Sequence, residues 1–170
     1  MILIVGLGNP GNEFKKTRHN IGFELVNEIQ KELLFPKFNK KFDGVYSKKL
    51  IFNHEVILFK PMKFMNLSGN PTQKIFNFFN IKNTEDLIVF HDDLDLKFPT
   101  IRCKTMGGHG GHNGIRDLIS IFGDKFNRIK VGIKNSFYCG NEIPADKFVL
   151  GNFFDEELNK ITLLKKKITN

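Results

Sequence analysis

Apolar positions in this chain come either as short unbroken runs or as longer stretches with helical spacing. Ile2-Leu3-Ile4-Val5 is a charge-free aliphatic run, the pattern of a strand buried on both faces. Gly6, Gly8 and Gly11, with Asn9-Pro10 between them, break it into a loop at the strand's C-terminal end. Ile21, Leu25, Ile29 and Leu33 mark a helix over 21–34, ended by Phe35-Pro36. Lys37 to Lys41 reads as a solvated connection. Val45 to Phe52 and Val56 to Lys60 read as a hairpin turning at Asn53-His54, which makes the sheet mixed. After the loop Pro61 to Gly69, the residues Ile75, Phe76 and Phe79 give a second helix its apolar face. Leu87 to Phe90 is a second buried strand, followed at once by the acidic run His91-Asp92-Asp93-Leu94-Asp95. Ile101 to Lys104 reads as an edge strand. Ile115, Leu118, Ile119 and Phe122 form a helix entered through Asn113, and Phe126 to Lys134 a further strand. Ile143 to Asn152 reads as a short helix and loop. Asp155 to Ile168 reads as a terminal helix, acidic at its start and basic at its end (Lys165-Lys166-Lys167), as the helix dipole favours. The pattern is α/β, without repeats and without a second domain.

Composition narrows the class. With 170 residues, 41% hydrophobic and 26% charged, the chain is ordinary globular material with enough length for a real core. No apolar run approaches the ~20 residues of a membrane span. The N-terminal run is too short, and lacks the basic flank, to be a signal peptide. Cys103 and Cys139 give no disulfide framework, which points to the reducing cytoplasm. The net charge of +8 either attracts a polyanion or serves solubility. Nineteen Phe without Trp, in a chain rich in Asn, Lys and Ile, look like nucleotide bias, so a lone Asn is weak evidence for a site.

Candidate chemistry collects at the strand ends. Gly6-Leu7-Gly8-Asn9-Pro10-Gly11 matches the spacing of a dinucleotide fingerprint. However, Pro10 and irregular residues separate it from the helix, and Glu28 and Glu32 fall inside that helix. His19 stands just before the helix N-terminus beside this loop, and is the first candidate for a general base. An Asp at the end of the second buried strand, Asp92, suits a carboxylate that accepts the Nδ1 proton of a nearby His and fixes its tautomer. Asn66 either caps the following helix or faces the same mouth. Met106-Gly107-Gly108-His109-Gly110-Gly111-His112-Asn113-Gly114 excludes regular structure. His109 and His112, with His91 and Asp92, offer a metal reading, but the i, i+3 pair is not held on a helix, and an imidazole there can equally satisfy backbone groups. Arg102, Lys104, Arg128 and Lys130 form either a basic stripe for phosphates or a solvated strand face. There is no nucleophile elbow, and neither Cys has an activating context, so a His base acting directly on water is the economical chemistry. Amides such as Asn9, Asn66 and Asn113 suit a peptide-like substrate, and an NH2 group suits a developing oxyanion.

Six stretches carry a resemblance: V-G-L-G-N-P-G, T-R-H-N-I-G, F-M-N-L-S-G, H-D-D-L-D, G-G-H-G-G-H-N-G and F-V-L-G. In this order, over nearly the whole chain, they resemble the bacterial peptidyl-tRNA hydrolase family. The resemblance implies a monomeric three-layer α/β/α sandwich around a twisted mixed sheet, a single domain over 1–170. It implies hydrolysis of the ester between a peptide and the tRNA 3′ end, recycling tRNA from aborted translation. His19 is then the base and Asp92 its orienting partner. Asn9 helps tell N-blocked peptidyl-tRNA from free aminoacyl-tRNA, while Phe64, Asn66 and Asn113 bind the peptide end and position water. Arg102, Lys104, Arg128 and Lys130 fall at tRNA-phosphate contacts, and neither a metal nor another cofactor is implied. Phe14 departs from the family's usual Tyr at a substrate contact, Met106 from a frequent Gly, and the terminal helix is shorter than usual. Relatives of this fold include non-hydrolytic RNA-binding proteins, which keeps a binding module as the alternative.

Overall fold

The computed structural model describes residues 1–169, with side chains through 166. Seven strands form one sheet: β1 (Ile2–Gly6), β2 (Asn39–Lys41), β3 (Gly44–Ile51), β4 (His54–Pro61), β5 (Leu87–Lys97), β6 (Ile101–Lys104) and β7 (Asn127–Lys134). The order is β2-β3-β4-β1-β5-β7-β6. The four central strands β4, β1, β5 and β7 run parallel, and the outer pairs are antiparallel, so the sheet is mixed as the hairpin predicted.

Helices cover both faces. On one side α1 (Ile21–Glu32) and α6 (Asp155–Thr169) pack Leu25, Val26, Ile29, Ile161 and Leu164 against Leu58, Phe90, Val131 and Ile133. On the other, α2 (Gly69–Phe78) and α3 (Asn113–Phe122) pack Ile75, Phe76, Ile115 and Leu118 against Leu3, Val5, Ile57, Phe59 and Val89. This is the expected three-layer sandwich. Two short helices, α4 (Ser136–Gly140) and α5 (Ala145–Val149), lie between β7 and α6. The basic end of α6 is tied back by Lys165, whose Nζ lies 3.2 Å from Glu24 and 3.9 Å from Glu28. Lys167 lies outside the described side chains.

The connections place the site. From β1 the chain passes through α1 toward the β4 side, and from β5 it goes on to the β7 side. β1 and β5 are neighbours, so the crevice at their C-terminal ends is a topological switch point, where open α/β sheets bind ligands. The approach there is tight. A Cβ added at Gly22, in the first turn of α1, would stand 2.4 Å from the Phe90 carbonyl oxygen and 2.5 Å from the Leu7 nitrogen. Glycine at this position lets α1 begin directly on the ends of both central strands.

Several expectations need correction. Lys37 to Lys41 is not all connection: Asn39–Lys41 pairs with β3 as a short exposed edge strand, and its lysines blunt that edge. The hairpin turns at Phe52-Asn53, both at positive φ, and His54 opens β4. The second buried strand does not end at Phe90. β5 continues through the acidic run to Lys97 because β7 goes on pairing with it after β1 has ended at Gly6. Asn66 caps no helix. Instead, Asp117 Oδ2 accepts the Gly69 N–H at 2.6 Å and closes the start of α2.

Gly22→Ala is expected to lose about 2–3 kcal/mol of stability, because backbone rather than a flexible side chain occupies the space. Denaturant melts of the two proteins check this, and an unchanged midpoint would refute the close-approach argument.

Candidate active site

His19 is held by its neighbours in sequence. The segment Arg18–Asn20 forms one 3-10 turn leading into α1. Arg18 is buried, donates to Glu157 Oε2 at 3.0 Å, and stacks its guanidinium over Phe148 at 4.2 Å and Phe154 at 4.9 Å. Its backbone N–H donates to the Gly151 carbonyl at 3.0 Å, which explains why the distant Phe148 to Gly151 stretch belongs to the site. Asn20 faces the other way. Its Oδ1 accepts the Asn9 N–H at 2.8 Å, and its Nδ2 donates to the Asn9 carbonyl at 2.9 Å. Asn9 Oδ1 in turn accepts the Met65 N–H at 2.7 Å. A backbone N–H can donate only to the oxygen of the amide, so the Asn9 NH2 group is turned away from Met65 and offered to the cleft.

Asp92 stands on the part of β5 that outruns β1. His19 Nδ1 lies 2.8 Å from its Oδ1 and 3.0 Å from its Oδ2, and His112 Nε2 lies 3.0 Å from Oδ1. His112 also caps α3: its Nδ1 accepts the Ile115 N–H at 3.3 Å. With Nδ1 an acceptor, the proton of His112 sits on Nε2 and is donated to Asp92. The same logic puts the His19 proton on Nδ1 and leaves the Nε2 lone pair open, with no partner among the described residues. His91, one residue before Asp92, is buried and donates Nδ1–H to the Asp92 carbonyl at 2.6 Å. The rings of His19 and His112 lie 4.7 Å apart, and those of His91 and His112 lie 4.9 Å apart.

Charges follow from this packing. Burial favours neutral Asp92, but the charges of His19 and His112 and their hydrogen bonds outweigh it, holding the carboxyl well below the usual carboxylate range. Burial also opposes charging of His19. The Asp92 charge and hydrogen bond outweigh that too and raise the pKa above its ordinary 6.5. His91 is pushed down to about 3, first by burial and then by His112, so it stays neutral.

Two clefts meet at His19. One, of about 570 Å³, is lined by Asn9, Phe64, Met65, Asn66, Asn113 and the polar face of α3. The other, of about 660 Å³, is lined by Asp92, Asp93, Lys104, the glycine loop and Lys130. The structure therefore brings Asn9, His19, Phe64, Asn66, Asp92 and Asn113 to one place. Phe14 stands edge-on to Phe64, with ring centroids 6.4 Å apart, and extends the apolar wall. The four basic residues do share one face, in directly opposed pairs Arg102–Lys130 and Lys104–Arg128. Arg102 and Lys104 are exposed, and Lys130 is ion-paired with Asp93. Arg128 corrects its expectation. It is 2% exposed, and its guanidinium donates to the carbonyls of Gly107, Gly108 and Asp124. It holds the glycine loop from below rather than facing outward.

The His91, His109 and His112 metal reading does not match the geometry. His109 Nδ1 accepts the Gly111 N–H at 3.0 Å, and His91 faces backbone. The ligand-type atoms that do converge, within 4.8 Å, belong to His19, Asp92 and His112. They stand at hydrogen-bond distance, with His19 Nδ1 2.8 Å and His112 Nε2 3.0 Å from Asp92 Oδ1. Sequence reasoning missed Asn20, the link from His112 to Asp92, and the lining residues Arg116, Asp117 and Ser120. The signal for the last three was the spacing 113, 116, 117, 120, which is one polar face of an amphipathic helix.

Comparison with known proteins finds one family. The family model described as peptidyl-tRNA hydrolase matches residues 3–170. The peptidyl-tRNA hydrolase of Fusobacterium nucleatum is 43% identical over 170 residues, covering all of this chain and 86% of that protein. That of Bacillus subtilis is 40% identical over 162 residues, covering 95% of this chain and 84% of that one. The crystal structure of peptidyl-tRNA hydrolase from Acinetobacter baumannii is 36% identical, with a TM-score of 0.88 over 98% of this chain and 83% of that one.

Replacing Asp92 by Asn keeps an acceptor for Nδ1–H but removes the charge, so burial prevails. The His19 pKa is then expected to fall from above 6.5 to below it, read by NMR titration of the imidazole. A pKa that stays raised in Asp92→Asn would refute the assigned cause.

Proposed function

Because the chain belongs to the peptidyl-tRNA hydrolase family, and is an enzyme that hydrolyses peptidyl-tRNA, we infer that His19 is its general base. The observation that carries this is the open Nε2 of His19 at the meeting point of two clefts, with Asp92 on Nδ1. Nε2 takes a proton from water as the water oxygen attacks the ester carbonyl between the peptide and the 3′ ribose. The carbonyl becomes a tetrahedral oxyanion, which the Asn9 NH2 group is oriented to receive. Collapse breaks the ester bond, and the imidazolium returns its proton to the leaving ribose oxygen. Asp92 stabilises that imidazolium and fixes the tautomer.

The amide-lined cleft takes the peptide. Asn66 and Asn113 offer both donors and acceptors to its backbone, and Phe64 with Phe14 packs on the side chain next to the ester. Phe14 gives shape there but no hydroxyl contact. The second cleft takes the tRNA 3′ end. Its loop comes close to a backbone because Gly107, Gly110 and Gly111 adopt φ of 125°, 56° and 80°. Arg102, Lys104 and Lys130 meet phosphates, Lys130 in competition with Asp93, while Arg128 acts through the loop it holds. The working unit is a monomer, since one chain supplies every group named. Its place is the cytoplasm, where this substrate arises and where the exposed thiols of Cys103 and Cys139 stay reduced. Among the described residues, no helix is long and apolar enough to cross a membrane.

His19→Ala is expected to lower turnover of N-acetyl-aminoacyl-tRNA by roughly 10²–10⁴ or more while tRNA affinity stays within about twofold. Lost binding, or retained turnover, would refute the role. The wild type should cleave the blocked substrate and spare free aminoacyl-tRNA with chelator present. Cleavage of neither, with tRNA still bound, would favour an RNA-binding protein, and loss of activity on chelation would reopen the metal reading. Lys104→Ala should flatten the plot of log affinity against log salt by about one, and an unchanged slope would return Lys104 to a solvated face.

A further inference from the structure

We propose that Arg116 reads the second residue of the bound peptide and favours an acidic side chain there, an inference that rests on assigning the amide-lined cleft to the peptide. The floor of that cleft is one face of α3, carrying Asn113, Arg116, Asp117 and Ser120. Asn113 marks the ester end, because the residue before it, His112, touches Asp92. From there the helix rises about 1.5 Å per residue, which puts Arg116 about 4.5 Å and Ser120 about 10 Å farther along. An extended peptide advances about 3.3 Å per residue. The floor therefore runs beside about three peptide residues, and Arg116 is level with the second.

The fold gives Arg116 no other employment. It sits near the start of α3, where the helix dipole disfavours a cation, and that first turn contains no acidic residue to offset it. Its helix neighbours at three and four positions are His112, Asn113, Ile119 and Ser120, none of them a carboxylate. The adjacent Asp117 is engaged by the Gly69 N–H. Asp146 also lines this cleft, and no ion pair joins the two among the described residues. An exposed arginine without an acidic partner among the described residues, on the floor of a substrate cleft, breaks the local rule that helix starts are acidic. Such breaks mark functional positions.

The test uses N-acetyl-dipeptidyl-tRNAs with the same tRNA and the same ester-linked residue, and with Asp, Ala or Lys in the second position. For the wild type, kcat/KM is expected to fall in the order Asp, Ala, Lys, by about threefold to fivefold per step, as for a partly exposed charge pair. In Arg116→Ala the three values should converge, in Arg116→Glu the order should reverse, and in Arg116→Lys it should hold. A ratio within one variant does not depend on how much of that variant is folded. Three equal values in the wild type, or an order unchanged in Arg116→Glu, would overturn the proposal. A flatter salt dependence of tRNA binding in Arg116→Ala, with no change in the order, would also overturn it and assign the guanidinium to a phosphate. Cleavage of N-acetyl-aminoacyl-tRNA, which has no second residue, tests the His19 reading separately.

Discussion

The buried Asp92 carboxylate is the constraint on which this site is built. A side chain 2% exposed cannot keep a charge without donors. Both donors come from outside its own strand, one from the turn before α1 and one from the residue that caps α3. A hydrogen bond to a charged group is worth about 1.5–3 kcal/mol, so both segments are drawn to one point. β5 can present the carboxylate there because it runs past the end of β1 and leaves that edge free for the loop. The same requirement sets the two tautomers. Asp92 accepts from each ring, so His19 must expose Nε2, and His112 must keep Nδ1 for the start of α3.

Rigidity comes from elements far from the chemistry. Glu157, 139 positions from Arg18, clamps that arginine, accepts from Asn135 and takes the Phe154 N–H, so α6 and the segments before it fix the turn that carries His19. On the other side Asn20, Asn9 and Met65 form a chain of hydrogen bonds that orients one amide group. The residues flanking His19 are thus structural, and they pull its backbone in two directions. A catalytic group needs such support if its geometry is to be set before the substrate arrives.

Much of this was legible in the residues. Unbroken aliphatic runs marked β1 and the start of β5, and helical spacing marked α1, α2, α3 and α6. Ligand sites in open sheets lie at strand ends, so His19 and Asp92 could be suspected together. Depth and extent were not legible. Alternation correctly put Arg128 on the face of Lys130 but could not say that a glycine loop would fold over it. The change from apolar to acidic residues marked the end of the second buried strand at Phe90, whereas pairing with β7 beyond it is set by backbone and is blind to side chains. An N-cap preference suggested Asn66, yet the cap came from Asp117, 48 positions beyond the Gly69 it holds, which no local pattern can foretell.

On the role proposed for His19, the His19–Asp92 pair stabilises the fold and serves the reaction in opposite ranges of pH. Because the folded pKa of His19 is raised, its imidazolium–carboxylate attraction contributes stability that is fully present below about 6.5, the unfolded value, and is lost as pH rises through the folded pKa. A general base must start neutral, so the working enzyme lies on the side where that contribution is absent. In the proposed mechanism the attraction returns when Nε2 takes the proton from water. It is then stronger in the transition state than in the ground state, which is the condition for an interaction to speed the chemical step rather than tighten binding. Burial sharpens this, since Asp92 meets the new charge in a site screened from water. His91 must stay out of the titration for the difference to hold, and its burial against His112 keeps it neutral.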